Sequence, residues 1–516
     1  MKKMIDRREF LKLSSLASIS SLGFSYLLGD PGLNKNVDAP NILIILFDTL
    51  SAKHINLYGY PRETMPNLAK FAERANVYHN HYSSSSFTSP ATASLLTGVY
   101  PWTHEVLSLK HRLSTKWINK NIFNLFKESG YHQIAYSHNP FADKLLRVFR
   151  NNIQDYYLYD TFFIGGDFFG NIFANDFDDY VDAKIRLLNR SDGLTNSLGL
   201  SQIFDLLNVN TKDEKVQAAE KLFPLGIPTI NISIPANYLL EEVIDFIISS
   251  AENLPRPYLG YFHLLPPHSP YNTRIDFYQH FYQDGFKVSP KPDNLFSRNV
   301  THENQFKSRT RYDEFILYVD AEFGRLIDSL EQQGNLENTW IIFTSDHGEM
   351  FERKLYGHQL PPLYQPVIKV PLLISAPGQN ERKDFYNNTS SLDVIPTLLK
   401  ITGQKFPDWL EGEILPPFRD SPPNDNRDIF AVMGQLNPRY RPLTKATLTL
   451  FKDNYKLIEY IGYDELYNDP TLFELYDLAA DPEELNDLFD PNTSLTKELN
   501  NILQAKLDEI NRRYEE

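Results

Sequence analysis

Cysteine is absent from all 516 residues, which excludes disulfides, thiolate metal sites and a cysteine nucleophile. Positive charge is also scarce. The 51 Lys and Arg stand against 66 Asp and Glu, and the net charge of −15 argues against nucleic acid as a partner. No internal repeats are visible in the sequence. Material for a core is abundant: hydrophobic residues make up 42% and aromatics 13%, mostly Tyr and Phe, which is too much for wholesale disorder. At about 100–200 residues per domain, the length allows two to four units, or one large α/β domain with a smaller companion.

The N-terminus reads as an address. Met1 to Lys12 carry five Lys and Arg, including Arg7-Arg8 followed by Glu9-Phe10-Leu11-Lys12, and an uncharged Ser- and Leu-rich stretch runs from Leu13 to Gly29. A basic start, a twin arginine and a short, mild apolar run resemble a twin-arginine export signal; the bland alternative is a basic amphipathic helix. Serines keep the run short of the ~20 apolar residues that span a bilayer comfortably. Gly23-Phe24-Ser25 is small-x-small but no Ala-x-Ala occurs, so the segment is expected either to be cleaved or to persist as a membrane tether through residues 13–29. The export machinery is the expected partner, and the periplasm or extracellular space the expected location. Removing residues 1–30, with five Lys/Arg and three Asp/Glu, takes the net charge from −15 to −17.

Pro31 to Asp38 reads as a linker. Asn41 to Phe47 is almost continuously apolar, the pattern of a strand buried on both faces of a parallel sheet. Alternation follows. Helices are expected over Pro66–Ala75, Asn119–Lys127, Tyr238–Ile248 and Tyr312–Leu330, and strands over His132–Tyr136, Tyr258–Leu264 and Trp340–Thr344. This predicts an α/β fold with helices on both faces of a sheet. Residues 162–231 have weak periodicity and read as a variable insertion. The expected division is a signal over 1–30, a linker over 31–38, a main domain over 39–403 and an α+β subdomain over 404–516. The last unit holds strands near Ala446–Phe451 and Tyr455–Tyr460 and a helix over Thr496–Arg513.

In open α/β sheets, ligands gather at the carboxyl ends of strands. Two buried runs here end in metal-type ligands: Asn41–Phe47 delivers Asp48, and Trp340–Thr344 delivers Asp346-His347-Gly348-Glu349. An Asp after a strand also serves as a helix cap, so either element alone says little. Between them lies Phe87-Thr88-Ser89-Pro90, continuing to Leu95-Leu96-Thr97-Gly98, a helix start with Pro in its first turn and Gly at its end. Thr88 is either a plain cap or a hydroxyl at the positive end of a helix, where ionisation is eased and an anion is welcome.

This segment resembles the sulfatase signature, in which Cys or Ser, then x-Pro-x-Arg, precede a Leu-Thr-Gly helix. Ordered matches extend from Ala39 to about Leu488, among them Tyr58-Gly59-Tyr60, Pro267-His268-Ser269-Pro270-Tyr271, Ser345-Asp346-His347-Gly348-Glu349 and Asp393-Val394-Ile395-Pro396. The resemblance is to the sulfatase family of the alkaline phosphatase superfamily. It implies a three-layer α/β/α sandwich with a smaller C-terminal α+β subdomain. It also implies that Asp48, Thr88, Asp346 and His347 are metal ligands, that Thr88 is the nucleophile, and that His268 and His358 contact the transferred anion. His104 is read as structural.

Departures from the family pattern point to the chemistry. Thr88 stands where sulfatases convert Cys or Ser to formylglycine, so formylglycine is not expected. Thr92 replaces the supporting Arg, Thr49 the second Asp, and His358 a Lys; Ser137-His138-Asn139-Pro140 stands where a Lys and a His are usual. What remains resembles phosphatase and phosphodiesterase relatives that use Thr or Ser directly. One divalent ion is expected, Mn²⁺ or Zn²⁺ over Ca²⁺ by its ligands; a second would recruit His268 or His358. The expected function is an exported metal-dependent hydrolase of phosphate (di)esters or sulfate esters, acting on small or envelope substrates through a covalent intermediate. The alternatives are a true sulfuric ester hydrolase, a phosphoglycol- or phosphoethanolamine-type transferase, and a non-catalytic envelope-binding domain.

Overall fold

The computed structural model describes residues 39–164, 214–231, 234–420, 427–463 and 471–514. The expected signal and linker, and most of the 162–231 insertion, lie outside the described residues. Residues 39–516 form one compact unit.

In chain order the main elements are β1 (Asn41–Phe47), α1 (Pro66–Ala72), β2 (Asn76–Tyr82), α2 (Thr88–Thr97), α3 (Ile122–Glu128), β3 (His132–Ser137), α4 (Pro140–Phe149) and β4 (Asp155–Tyr157). Then come α5 (Leu240–Asn253), β5 (Tyr258–Leu264), α6 (His302–Gln332), β6 (Thr339–Thr344), β7 (Leu372–Ser375), β8 (Lys383–Ser390) and α7 (Val394–Ile401). The eight strands form one sheet in the order β8-β2-β7-β6-β1-β5-β3-β4. Strands β6, β1, β5, β3 and β4 run parallel, and β7 is antiparallel to both of its neighbours.

The central strand shows why the sequence folds this way. Every residue of β1 is buried, and its apolar side chains alternate between two cores. Leu43, Ile45 and Phe47 pack with α1, α5 and α6, whereas Ile42, Ile44 and Leu46 pack with α2, α3, α4 and α7. A strand covered on both faces needs no polar alternation, hence the continuous apolar run.

A second, antiparallel sheet follows, of β9 (Ile429–Met433), β10 (Ala446–Lys452), β11 (Tyr455–Ile461) and β12 (Thr471–Asp477) in sequential order. Leu499, Leu503 and Ile510 of α8 (Ser494–Arg512) pack against Leu448, Leu450 and Leu457. Arg427 ties this sheet to the main domain with paired hydrogen bonds to Asp393, at 2.7 and 2.8 Å.

Several helix boundaries differ from expectation, among them these three. The first helix stops at Ala72, because the next three residues turn into β2. Tyr238 closes a strand, Ile234–Tyr238, and the helix begins at Leu240. The long helix starts ten residues earlier, at His302, where the Thr301 hydroxyl accepts from the Asn304 amide at 3.2 Å. Its first turns are largely polar, so apolar periodicity does not reveal them. Among the described residues no helix is long and apolar enough to cross a membrane.

Candidate active site

Four adjacent parallel strands, β6, β1, β5 and β3, deliver side chains to one point at their carboxyl ends. In register, Leu46 faces Thr344 on one side and His263 on the other, and His263 in turn faces Ser137. Asp48 therefore follows β1, Asp346 and His347 follow β6, and Asn139 follows β3. Helix α2 brings the fifth component. All ten of its residues are buried, and Thr88 is its first. Phe87 occupies the cap position and no side chain caps the helix. The Thr88 hydroxyl is turned instead towards His347 Nε2 and Asn139 Nδ2, 3.3 Å from each.

Asp48, Asp346, His347 and Thr88 thus converge as expected, together with one residue not singled out beforehand. His263 Nε2 lies 2.9 Å from Asp48 Oδ2 and 3.8 Å from Asp346 Oδ2. One donor atom each from Asp48, His263 and Asp346 lies within 4.8 Å of the others. His347 Nε2 is 3.7 Å from Asp48 Oδ1 and 3.4 Å from Asp346 Oδ2. Asp48 Oδ1 and Asp346 Oδ2 are fully buried without a hydrogen-bond partner, which is costly unless a cation satisfies them. The His347 tautomer agrees. Its Nδ1 lies 3.0 Å from the Gly348 carbonyl, which only accepts, so Nδ1 carries the proton and Nε2 offers its lone pair. The donor set fits a divalent cation.

The electrostatics point the same way. Burial alone raises the Asp48 carboxyl, but the His263 hydrogen bond and the charges of His263, His268 and His347 outweigh it and hold Asp48 well below the usual carboxylate range. Burial, then the Asp48 charge, pushes Asp346 up to about 7. His347 is held far below the ordinary imidazole value by burial and then by His358. Two crowded carboxylates and a neutral imidazole give a site of negative potential, suited to a cation.

His358 and His268 stand beside this centre. The His358 ring is 4.5 Å from that of His347 and 5.2 Å from that of His268. Glu349 accepts from His358 Nδ1 at 3.1 Å and from the Tyr271 hydroxyl at the same distance. Burial lowers His358, yet the charge and hydrogen bond of Glu349 more than reverse this, and its pKa is raised. His268 Nδ1 donates to the Ser269 carbonyl at 2.7 Å, and its Nε2 makes no hydrogen bond among the described residues.

Asn139 and Glu349 gain roles that sequence reading did not give them. The Asn139 Oδ1 caps α4 by accepting from the Phe141 amide at 2.8 Å, while Nδ2 donates to Asp48 Oδ2 at 2.6 Å. His263 lies within the buried strand Tyr258–Leu264, one residue before its end, and its place in the site shows only once that strand is paired with β1. Thr49 has a left-handed backbone at φ 61°, and its amide donates to Asp346 Oδ1. The hydroxyls of Thr49 and Thr92 are buried with no partner among the described residues. His104 links helix α2 to the following turn, bonding Ser94 Oγ at 3.0 Å and the Val106 amide at 3.1 Å. The hydroxyls of Ser83 and Ser85 are used by the Ser85 and Val432 carbonyls.

Comparisons with known proteins bear on the family and the fold. The family profile described as Sulfatase matches residues 40–404, and that described as N-sulphoglucosamine sulphohydrolase, C-terminal, matches 352–513. The chain is 24% identical over 475 residues to the uncharacterized sulfatase YidJ of Escherichia coli strain K12, covering 87% of this chain and 83% of that one. It is 25% identical over 476 residues to a choline-sulfatase of Rhizobium meliloti, covering 87% and 82%. Among solved structures, a phosphonate monoester hydrolase of Agrobacterium radiobacter superposes with a TM-score of 0.64 at 18% identity, covering 92% of this chain and 96% of that one. With a family match over more than half its length, on this sheet and around this strand-end site, the chain belongs to the sulfatase family of hydrolases.

Proposed function

We propose that this protein is an exported, metal-dependent hydrolase that cleaves phosphate diesters or sulfate esters through Thr88. The observation that carries this reading is the Thr88 hydroxyl, held 3.3 Å from both His347 and Asn139 at the start of a buried helix, beside two unpartnered carboxylate oxygens. Asp48, Asp346, His347 and Thr88 would hold a divalent cation, which would supply acidity to the hydroxyl and charge neutralisation at the ester. Asn139 orients the hydroxyl for in-line attack on phosphorus or sulfur; the hydroxyl proton goes to solvent, the bond to the leaving alcohol breaks, and the phosphoryl or sulfuryl group stays on Thr88 as a covalent intermediate. His358, whose pKa the charge and hydrogen bond of Glu349 raise against burial, is placed to give a proton to the leaving oxygen. His268 orients the anionic group through its Nε2. Water then attacks that group, giving a proton to the now neutral His358; the bond to Thr88 breaks, its oxygen takes back a proton from solvent, and the phosphate or sulfate product leaves.

The less cationic pocket favours a singly charged diester: Thr92 stands for an arginine and His358 for a lysine. A sulfate ester is the second reading, favoured by the similarity to a choline-sulfatase. Turnover of 4-nitrophenyl sulfate against mono- and bis-4-nitrophenyl phosphate separates the two, and a clear preference for sulfate sinks the diester reading. Intact-mass measurement after substrate is expected to find a phosphoryl or sulfuryl adduct on Thr88. Thr88→Ala is expected to lose both adduct and turnover; retained activity overturns the mechanism. Export is checked by cell fractionation, where changing Arg7 and Arg8 to Lys is expected to hold the protein in the cytoplasm.

A further inference from the structure

We propose that His263 is itself a ligand of the metal, supplying from β5 the donor that Thr49 does not. The inference rests on the metal-dependent reading above. It adds that two imidazoles, His263 and His347, select a zinc-class ion over Ca²⁺. Three observations support it.

The first is position. His263 Nε2 is 2.9 and 3.8 Å from the facing oxygens of Asp48 and Asp346, and His347 Nε2 is 3.7 and 3.4 Å from oxygens of the same two carboxylates. The two imidazoles thus approach one carboxylate pair at similar range. Separations of about 3–4 Å between donors suit atoms that each stand roughly 2 Å from a shared ion.

The second is orientation. Tyr261, two residues earlier on the same strand and hence on the same face, places its hydroxyl 3.1 Å from His263 Nδ1. A hydroxyl both donates and accepts, so it matches Nδ1 whether Nε2 hydrogen-bonds Asp48 or turns its lone pair to a cation. This is the outer-shell support that ligating histidines usually have.

The third is compensation. Thr49 places a neutral hydroxyl beside Asp48, and its left-handed backbone leaves that hydroxyl buried with no partner among the described residues. Replacing a carboxylate donor by imidazole lowers the site's negative charge and softens its donor set. Imidazole suits Zn²⁺, whereas Ca²⁺ seeks six to eight oxygens.

The test measures metal, not turnover. Metal-stripped full-length protein is titrated with Zn²⁺ and with Ca²⁺, and X-ray absorption on the Zn²⁺-loaded protein counts imidazole ligands. Two imidazoles are expected, falling to one in His263→Ala. Zn²⁺ affinity in that variant should drop by more than the roughly 10–100-fold that loss of an outer-shell partner costs. His263→Asp is expected to move the preference towards Ca²⁺, and Tyr261→Phe to weaken Zn²⁺ binding roughly 10-fold without changing the imidazole count. An unchanged imidazole count in a folded His263→Ala protein overturns the proposal, as does a wild-type preference for Ca²⁺. Neither result depends on Thr88 chemistry: an inactive protein with two imidazoles on zinc supports the ligand assignment while defeating the hydrolase reading.

Discussion

At the scale of single residues, Asn139 joins two tasks that can be separated. Its oxygen caps α4 and its nitrogen holds Asp48 and Thr88. Serine is as good a cap as asparagine but does not carry the amide nitrogen. Asn139→Ser therefore keeps the cap but removes a donor from a buried carboxylate, and is expected to cost about 1–3 kcal/mol. Its kcat should fall on the order of 10- to 100-fold, because a nucleophile held by one donor fewer spends less time aligned. Denaturant melts and steady-state kinetics read the two effects independently, and an unchanged kcat would reduce Asn139 to a helix cap. Glu349 has the equivalent position behind His358: Glu349→Gln keeps the shape but removes the charge that raises the imidazole. The alkaline limb of the pH–rate profile, where His358 loses its proton, is expected to move to lower pH.

At the scale of elements, the turn that carries Asp346 and His347 is held by close backbone packing. A Cβ on Gly348 would lie 2.0 Å from the carbonyl oxygen of Pro366, and the Gly348 amide donates to the Val367 carbonyl. No rotamer relieves a clash with backbone. Gly348→Ala is expected to cost about 1–3 kcal/mol and to displace both ligands; a thermal melt with a Zn²⁺ titration checks both, and native values in each would refute the packing argument. Arg427 and Asp393, both nearly buried, pair across the join between the two sheets, beside an apolar contact of Tyr82 with Phe451. Arg427→Ala leaves a buried carboxylate uncompensated and is expected to cost about 3–5 kcal/mol by denaturant unfolding.

At the scale of the whole molecule, buried neutral histidines link stability to pH. Burial lowers His81 to about 4 and His104 to about 3, from an ordinary 6.5. Their folded pKa values lie below the unfolded one, so the unfolded chain binds more protons in acid. The stability they contribute is complete above pH 6.5 and is lost as pH falls towards 4 for His81 and 3 for His104. The slope is at most ~1.4 kcal/mol per pH unit for each group. Unfolding free energies at pH 7 and pH 5 are expected to converge when His81 and His104 are replaced by Gln; an unaltered pH slope would remove them as the cause.

Legibility followed the length scale of each signal. The buried strands β1 and β6, and the acidic side chains directly after them, were readable because a both-faces-buried strand is an apolar run and its end is marked by the first polar residue. The α/β class followed from the alternation of such runs with amphipathic helices. The substitution of threonine for the usual nucleophile precursor was likewise a local fact, and with no cysteine in the chain it stands without any structure. Other features depended on which strands become neighbours. His263 falls inside an apolar strand and reads as a core histidine until β5 is laid beside β1. Asn139 reads as a cap until β3 is laid beside β5. The polar first turns of α6 carry no periodicity, and only their packing shows them to be helix. Residue types and their order determined what chemistry was available: two carboxylates, imidazoles and an unmodified hydroxyl. The tertiary structure alone decided which of them meet, because donors from four strands and one helix come within a few ångströms only after the sheet order is set.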